Sequence, residues 1–502
     1  MQLFIQVQHF IICLCMFCGL FIQPVFFLPI FLYKCIVVFL SRRNPKLGKV
    51  LTPKDSCLAN EDFTRFPPKV SVVSTMLLDG DLSLQEFQSA FVQHVINACI
   101  PSSSSSKLAY FREQSTGYCQ TRYPELMQYQ SDFMGHKFWK DDADFSLSNH
   151  IRAIDHSKNP NLDLIHEEML NKPFNIKRSP WEIVLIRNYY NMSEEIEDTL
   201  KSQLQTLVVA RFHHSMVDAK SILKLFVECL GQQSLTISKP QEMNKSLYGN
   251  IFSTLIFPMI YLCQNVKLFM IVCFGSGLHP WRTPIMGGDN NKLLIRFSQN
   301  MPLKEIKDVA KRNNISTSAV LISMITGAIY NLDSELRTKT VLAGYILPLE
   351  NHPPTLCNHF TGSIIQLPTN KHLSTKERLQ LCHNLFRDIK SSSMKEFLES
   401  AVLQIGTLFD PLRKLIARNV YATIGITNIA GESKEFSIVQ RKCSEFTFSV
   451  GTLGGCSGVS FSCSSYQDNF RVAVIANESV LDEAKVQKLA NAFGEELQVM
   501  KK

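Results

Sequence analysis

The chain has 502 residues, enough for two domains that each bury a core. Apolar residues make up 45% and charged residues 19%, which excludes a disordered chain. The net charge of +8 comes from scattered Lys and Arg with no basic stripe between aromatics, which argues against nucleic acid and suits an anionic membrane surface or substrate.

Residues 1 to 40 carry Lys34 as their only formally charged side chain. The run is too long and bulky for a signal peptide, whereas one membrane span needs about 20 apolar residues. It fits either one tilted helix or a hairpin turning near Pro24 and Pro29. Arg42, Arg43, Lys46, Lys49 and Lys54 follow at once, so the positive-inside rule puts the body from residue 41 onward in the cytosol. Residues 1–41 are therefore expected to anchor the chain in a membrane. Of the 15 Cys, Cys13, Cys15, Cys18 and Cys35 lie in this run and the rest are scattered. Their odd number and spread argue against a disulfide framework, and reduced thiols fit a cytosolic body.

Past Pro67-Pro68, Val70 to Leu78 alternates like a strand and Leu84 to Ile100 has helical spacing. Pro101 and the serines after it predict a loop. Asp144 to Ile154 reads as extended and Asn161 to Leu170 as a helix. Glu182 to Tyr189 and Leu204 to Phe212 are β-branched runs of strand length, and Ala219 to Leu230 is helical. The apolar stretch from Ile251 to Gly277 is interrupted by Pro258, Gln264, Asn265 and Lys267. It reads as a helix lying on the membrane or, alternatively, as a crossover helix in the core. Lys292 to Phe297 predicts a strand, Leu303 to Arg312 and Ser318 to Leu332 helices, and Thr340 to Leu349 a strand. Ser457 to Ala476 alternates like a hairpin before a final amphipathic helix, Leu481 to Met500. This is a mixed α/β chain in two halves, 62–240 and 291–502, joined by an apolar, membrane-associated bridge over 241–290.

The run R-F-H-H-S-M-V-D-A places His213, His214 and Asp218 at a strand-to-helix junction, where loops position catalytic groups. A histidine near neutral pH can take a proton from an attacking hydroxyl and return it to the leaving group. Neighbouring side chains at a strand end point to opposite faces, so one His can face a channel while the other packs inward. Asp218 can return to the loop and hold its geometry, provided a cation neutralises it. No G-x-S-x-G elbow and no third ligand near the pair are present, so no metal or other cofactor is expected.

With its surroundings, the motif resembles the signature of the wax ester synthase and acyl-CoA:diacylglycerol acyltransferase family, whose fold is that of chloramphenicol acetyltransferases and condensation domains. H-H-x-x-x-D-G is met by His213, His214 and Asp218, with Ala219 in place of Gly. S-P-W-E at Ser179 to Glu182 resembles the family's P-L-W-E, and T-P-I-M-G-G from Thr283 has a counterpart there too. C-N-H-F-T-G from Cys357 and T-N-I-A-G from Thr427 resemble its G-N-x-x-G and S-N-x-P-G elements. The resemblance covers roughly residues 60 to 500. It implies two chloramphenicol acetyltransferase-like halves around a channel and transfer without an acyl-enzyme. His214 would be the general base that lets an alcohol attack an acyl-CoA thioester, with His213 and Asp218 as its supports. Trp181 would line the channel, and Asn358 and Asn428 would either line it or organise the second half. The products would be wax esters or triacylglycerol, made on the cytosolic side of the endoplasmic reticulum membrane. Ala219, and Ser318-Ala319 where the family has N-D, depart from the pattern. They leave open a lipid-binding member of weak or lost activity; a condensation-type amide former would need a carrier protein.

Overall fold

The structure is a computed structural model that describes residues 28–99, 121–155, 161–189, 204–235, 281, 283, 292–332, 341–369, 372–391, 394–416, 422–453 and 457–502. Residues 1–27 of the expected anchor and nearly all of the 241–290 bridge lie outside these, Trp281 and Thr283 excepted.

The described chain starts in helix α1 (Leu28–Ser41), whose Val37 and Ser41 are buried against the body. Its opposite face shows Leu28, Phe31, Leu32, Ile36 and Phe39, each between 52% and 58% exposed. Among the described residues no single helix is long and apolar enough to cross a membrane. Strand β1 (Leu47–Val50) and helix α2 (Pro53–Leu58) follow. Thr52 caps α2 by accepting the Asp55 N–H, and Pro53 at the first position loses nothing there because its missing donor had no partner.

The sheet of the first half has the order β13-β14-β2-β7-β6-β5. Its members from this half are β2 (Ser71–Asp79), β5 (Ile151–Asp155), β6 (Trp181–Tyr189) and β7 (Gln205–His213). Between them, β3 (Gln128–Phe133) and β4 (His136–Asp141) form a small sheet with β1. Their two-residue turn, Met134-Gly135, has positive φ at both positions, matching the twist of a tight hairpin. The Tyr33 hydroxyl donates to the Met134 carbonyl at 3.1 Å and ties α1 to this turn.

Helices α3 (Leu84–Phe91) and α4 (Leu162–Asn171) flank the sheet, and α5 (Ala219–Leu223) continues as a wide turn over Lys224–Leu230. The second half contains β8 (Leu293–Phe297), β9 (Met301–Pro302), α6 (Leu303–Arg312), α7 (Thr317–Leu332), β10 (Val341–Pro348) and β11 (Phe360–Leu367). Helices α8 (Thr375–Ser391), α9 (Met394–Ile405) and α10 (Asp410–Ile416) precede β12 (Ile424–Ala430). The chain ends in β13 (Ser437–Ile438), β14 (Arg441–Val450), β15 (Val459–Tyr466), β16 (Asn469–Asn477) and α11 (Glu483–Lys501). The second sheet runs β11-β10-β12-β15-β16-β8.

The predicted mixed α/β class and most elements from Val70 onward agree with this architecture. The division into 62–240 and 291–502 does not follow the sheets, because β14 leaves its own half and pairs antiparallel with β2 from Val450↔Val72 to Cys443↔Leu78. Alternation explains how β7 serves two cores. Val208, Ala210 and Phe212 join the core of the first half, while Leu207 and Val209 meet Leu293, Ile295, Ala473 and Ile475 of the second. Burying such side chains contributes roughly 1.5–3 kcal/mol each, so the contact between halves is structural rather than incidental.

Candidate active site

The histidine pair ends β7, and its backbone is held on both sides. His213 N–H donates to the Pro180 carbonyl at 2.9 Å, and His214 N–H to the Val70 carbonyl at 3.0 Å. The S-P-W-E element thus supports the pair directly. Its Glu182 stands 3.1 Å from the buried guanidinium of Arg211, which lies on the Phe174 ring at 3.7 Å. Burial lowers that guanidinium to about 10, and Glu182 opposes the shift.

His213 is fully buried, with its ring 4.2 Å from Phe63. Its Nε2 faces Glu61 Oε1 at 2.9 Å, and Nδ1 accepts from Ser215 N–H and lies 2.7 Å from the Ser215 hydroxyl. Gln130 donates to that hydroxyl at 2.6 Å, so the hydroxyl proton is free to point at Nδ1. The same Glu61 accepts the Lys69 and Val70 N–H groups. Both ring nitrogens of His213 are therefore engaged by the protein.

His214 is different. Its ring is half-buried beside Phe360, and its buried Nδ1 has no hydrogen-bond partner. Burial holds the imidazole below the usual histidine value; Asp218 pulls it up and His213 pushes it down. The ring is therefore neutral near pH 7 and able to accept a proton.

Asp218 caps α5 by accepting the Ser221 N–H at 2.8 Å. It also accepts the His359 N–H at 2.8 Å and faces His352 Nε2 at 3.0 Å. Burial pushes its carboxyl up, but these bonds outweigh it and hold the group below the usual carboxylate range. The side chain facing Asp218 is His352. Its Nδ1 lies 2.8 Å from the Pro353 carbonyl, so both ring nitrogens face acceptors. Ala219 is the first residue of α5 and does not have positive φ, so the missing glycine causes no strain here.

Asn358 lies beside the pair, donating one amide proton to the His214 carbonyl at 2.6 Å and the other to Asp55 Oδ1 at 2.7 Å. It is buried, and its amide protons bridge the two chain segments while its Oδ1 has no hydrogen-bond partner. Trp181 needs a correction. It is 2% exposed, stacks on His150 and Phe91 and donates its indole N–H to the Leu126 carbonyl, so it belongs to the core. Asn428 is half-buried on β12 and, with Ser318, hydrogen-bonds the Tyr345 phenol, which burial raises to about 12. The structure thus brings His213, His214, Asp218 and Asn358 together and sets Trp181 in the core.

Three acting residues had no signal of their own in the sequence: Asp55, Glu61 and His352. The T-P-K-D run at Thr52 reads as a capping box, which marks a helix start but not a site. Among the described residues no cluster of His, Cys, Asp or Glu could hold a metal ion. Seven described Cys are free, and Cys99 is disulfide-bonded, an exception to the expected reduced body.

Comparison with known proteins points the same way. The description "WS/DGAT C-terminal domain" matches residues 356–501, which contain the C-N-H-F-T-G and T-N-I-A-G elements. No curated protein matches the chain. Among solved structures, a wax ester synthase/diacylglycerol acyltransferase from Marinobacter aquaeolei VT8 superposes with TM-score 0.55 at 15% identity, over 90% of this chain and 98% of that one. A trichothecene 15-O-acetyltransferase from Fusarium sporotrichioides gives 0.56 at 14% identity, over 90% and 94%. A condensation domain of the calcium-dependent antibiotic synthetase gives 0.56 at 10%, over 91% and 97%. These structures share the fold, and residues 356–501 match the C-terminal domain of the wax ester synthase/diacylglycerol acyltransferase family.

Proposed function

We propose that the chain moves a fatty acyl group from acyl-CoA to a long-chain alcohol or diacylglycerol, with His214 as the general base. The observation that carries this reading is the placement of His214: half-buried, with an unpartnered Nδ1, and fixed through its own N–H and carbonyl. Its imidazole takes the hydroxyl proton as the alcohol oxygen bonds to the thioester carbonyl carbon. The carbon–sulfur bond then breaks, and the imidazolium returns the proton to the departing CoA thiolate. No bond to the protein forms and no cofactor enters. The positive balance of the chain favours the CoA phosphates.

Our reading sets the reaction at a membrane, on the cytosolic face of the endoplasmic reticulum. Supporting this are the apolar run of residues 1–40, the basic cluster after it, and the exposed apolar stripe of α1. Asn191, Asn244, Asn314 and Asn477 head N-x-S sequons, so a mobility shift on glycosidase treatment would place the body on the lumenal side instead. The activity test uses membranes from cells lacking neutral-lipid synthesis, with labelled acyl-CoA and fatty alcohol and diacylglycerol in competition. H214A should lower ester formation about 10²–10⁴-fold; unchanged formation removes the base assignment. Ser318-Ala319, in place of the family's N-D, favours a second reading: a lipid-binding member without turnover. It predicts acyl-CoA binding by the unaltered chain and no ester from either acceptor.

A further inference from the structure

Helix α2 precedes both halves, yet it is fastened to the second. Lys54 Nζ donates to the Phe360 carbonyl at 3.1 Å and pairs with Glu399 at 3.0 Å, and the Cys57 thiol lies 3.4 Å from the Val402 carbonyl. Pro53 meets Gly406 so closely that a Cβ there would stand 2.0 Å from the Pro53 carbonyl oxygen. The helix is thus a fixed strut under the loop that brings Asn358 to the histidine pair.

Asp55 is the residue this strut presents. An acid at the third position of a capped helix ordinarily sits in solvent near the cap. Asp55 is instead 4% exposed, and its Oδ1 accepts both the Asn358 N–H at 3.1 Å and an Asn358 amide proton at 2.7 Å, while Oδ2 takes the Thr52 hydroxyl. The remaining amide proton of Asn358 goes to the His214 carbonyl. One residue on, His359 N–H is held by Asp218. Two carboxyls from the first part of the chain therefore grip consecutive residues of a second-half loop, one beneath each end of the catalytic turn.

From this geometry we infer that Asp55 is a positioning residue for His214, acting through Asn358, so that the segment ahead of both halves completes the active site. The inference rests on the assignment of His214 as base. Burial pushes the Asp55 carboxyl up to about 7, against the bonds from Thr52 and Asn358, so a protonated carboxyl is compatible with the site. A neutral amide that keeps an acceptor oxygen at the same place should then serve as well. D55A removes that oxygen and frees Asn358.

The test compares D55N and D55A in the full chain, with two readouts. In acyl transfer, D55A should lower kcat at least tenfold with KM for acyl-CoA within about threefold, and D55N should retain at least half of kcat. Independently of turnover, the rate at which diethyl pyrocarbonate modifies His214 is followed in the tryptic peptide from Phe212 to Lys220, resolved by fragment masses. D55A should raise that rate severalfold as the turn loosens, and D55N should leave it near the parent value. An unchanged kcat and His214 reactivity in folded D55A would overturn the inference, as would equal losses in D55N and D55A. Absent turnover in the parent chain would count against the proposed function alone, because the modification rate still reports on the clamp.

Discussion

Asp218 and His352 form the buried pair that closes the catalytic turn, and their coupling is measurable. D218A removes an acceptor from His352, from His359 N–H and from Ser221 N–H. Breaking one side of a buried ion pair costs about 3–5 kcal/mol, and losing the cap of α5 adds about 1 kcal/mol. The single change should therefore destabilise the chain by roughly 4–6 kcal/mol. H352A leaves the carboxylate with two backbone donors, so its cost should be smaller, about 2–4 kcal/mol. In the double variant neither charge is stranded. The sum of the single losses should then exceed the double loss by about 1.5–3 kcal/mol, the value of a charge-assisted bond. Urea unfolding of the four detergent-solubilised proteins, followed by tryptophan fluorescence, gives the cycle. Losses that add to within about 0.5 kcal/mol would show that the two side chains do not interact, and the account of how Asp218 is held would fall.

The proposed base role of His214 predicts an acid limb in kcat/KM. Because burial depresses its imidazole, half-maximal kcat/KM should fall below pH about 6.5, and a limb at or above that value contradicts the assignment. His166 gives a pH effect on stability instead. Fully buried between Thr75 and Ser449, it is lowered to about 3 by burial. A depressed value means that the unfolded chain binds the proton first. The stability contributed is thus whole above pH about 6.5 and erodes as pH falls toward 3, by at most about 1.4 kcal/mol per unit. Urea midpoints from pH 7.5 to 5 should show this slope, and H166Q should flatten it. G406A tests the strut, since a Cβ would meet backbone atoms of Pro53. It should cost about 1–3 kcal/mol and lower acyl transfer together with stability, and an unaltered melting curve would refute the contact.

What the sequence made legible was local. His213, His214 and Asp218 fall within six positions of one strand-to-helix junction, so their spacing carries their geometry. Glu61 and His352 bond to the same turn from 152 and 134 residues away, and Asp55 reaches it only through Asn358, 303 residues further on; no periodicity records such a meeting. Trp181 shows the opposite failure: an aromatic inside a functional motif fits a channel wall or a core equally well until its neighbours are known. No predicted element covers β14, and nothing in its sequence names the sheet or the partner it joins, because pairing between strands so far apart leaves no local pattern.

The pairing of β14 with β2 also governs how the protein is made. More than two hundred residues separate β7 from β14, so a ribosome at about 5–20 residues per second leaves the β2 edge open for roughly 10–50 s after its other neighbours have emerged. That edge includes Val72, Val73, Met76, Leu77 and Leu78, an apolar row with free backbone donors and acceptors, the kind of template that recruits foreign strands. The first half is therefore a nascent-chain liability until its last strand arrives from the other end of the gene. Cells lacking holdase capacity should accumulate this protein as aggregates even when the finished molecule is stable.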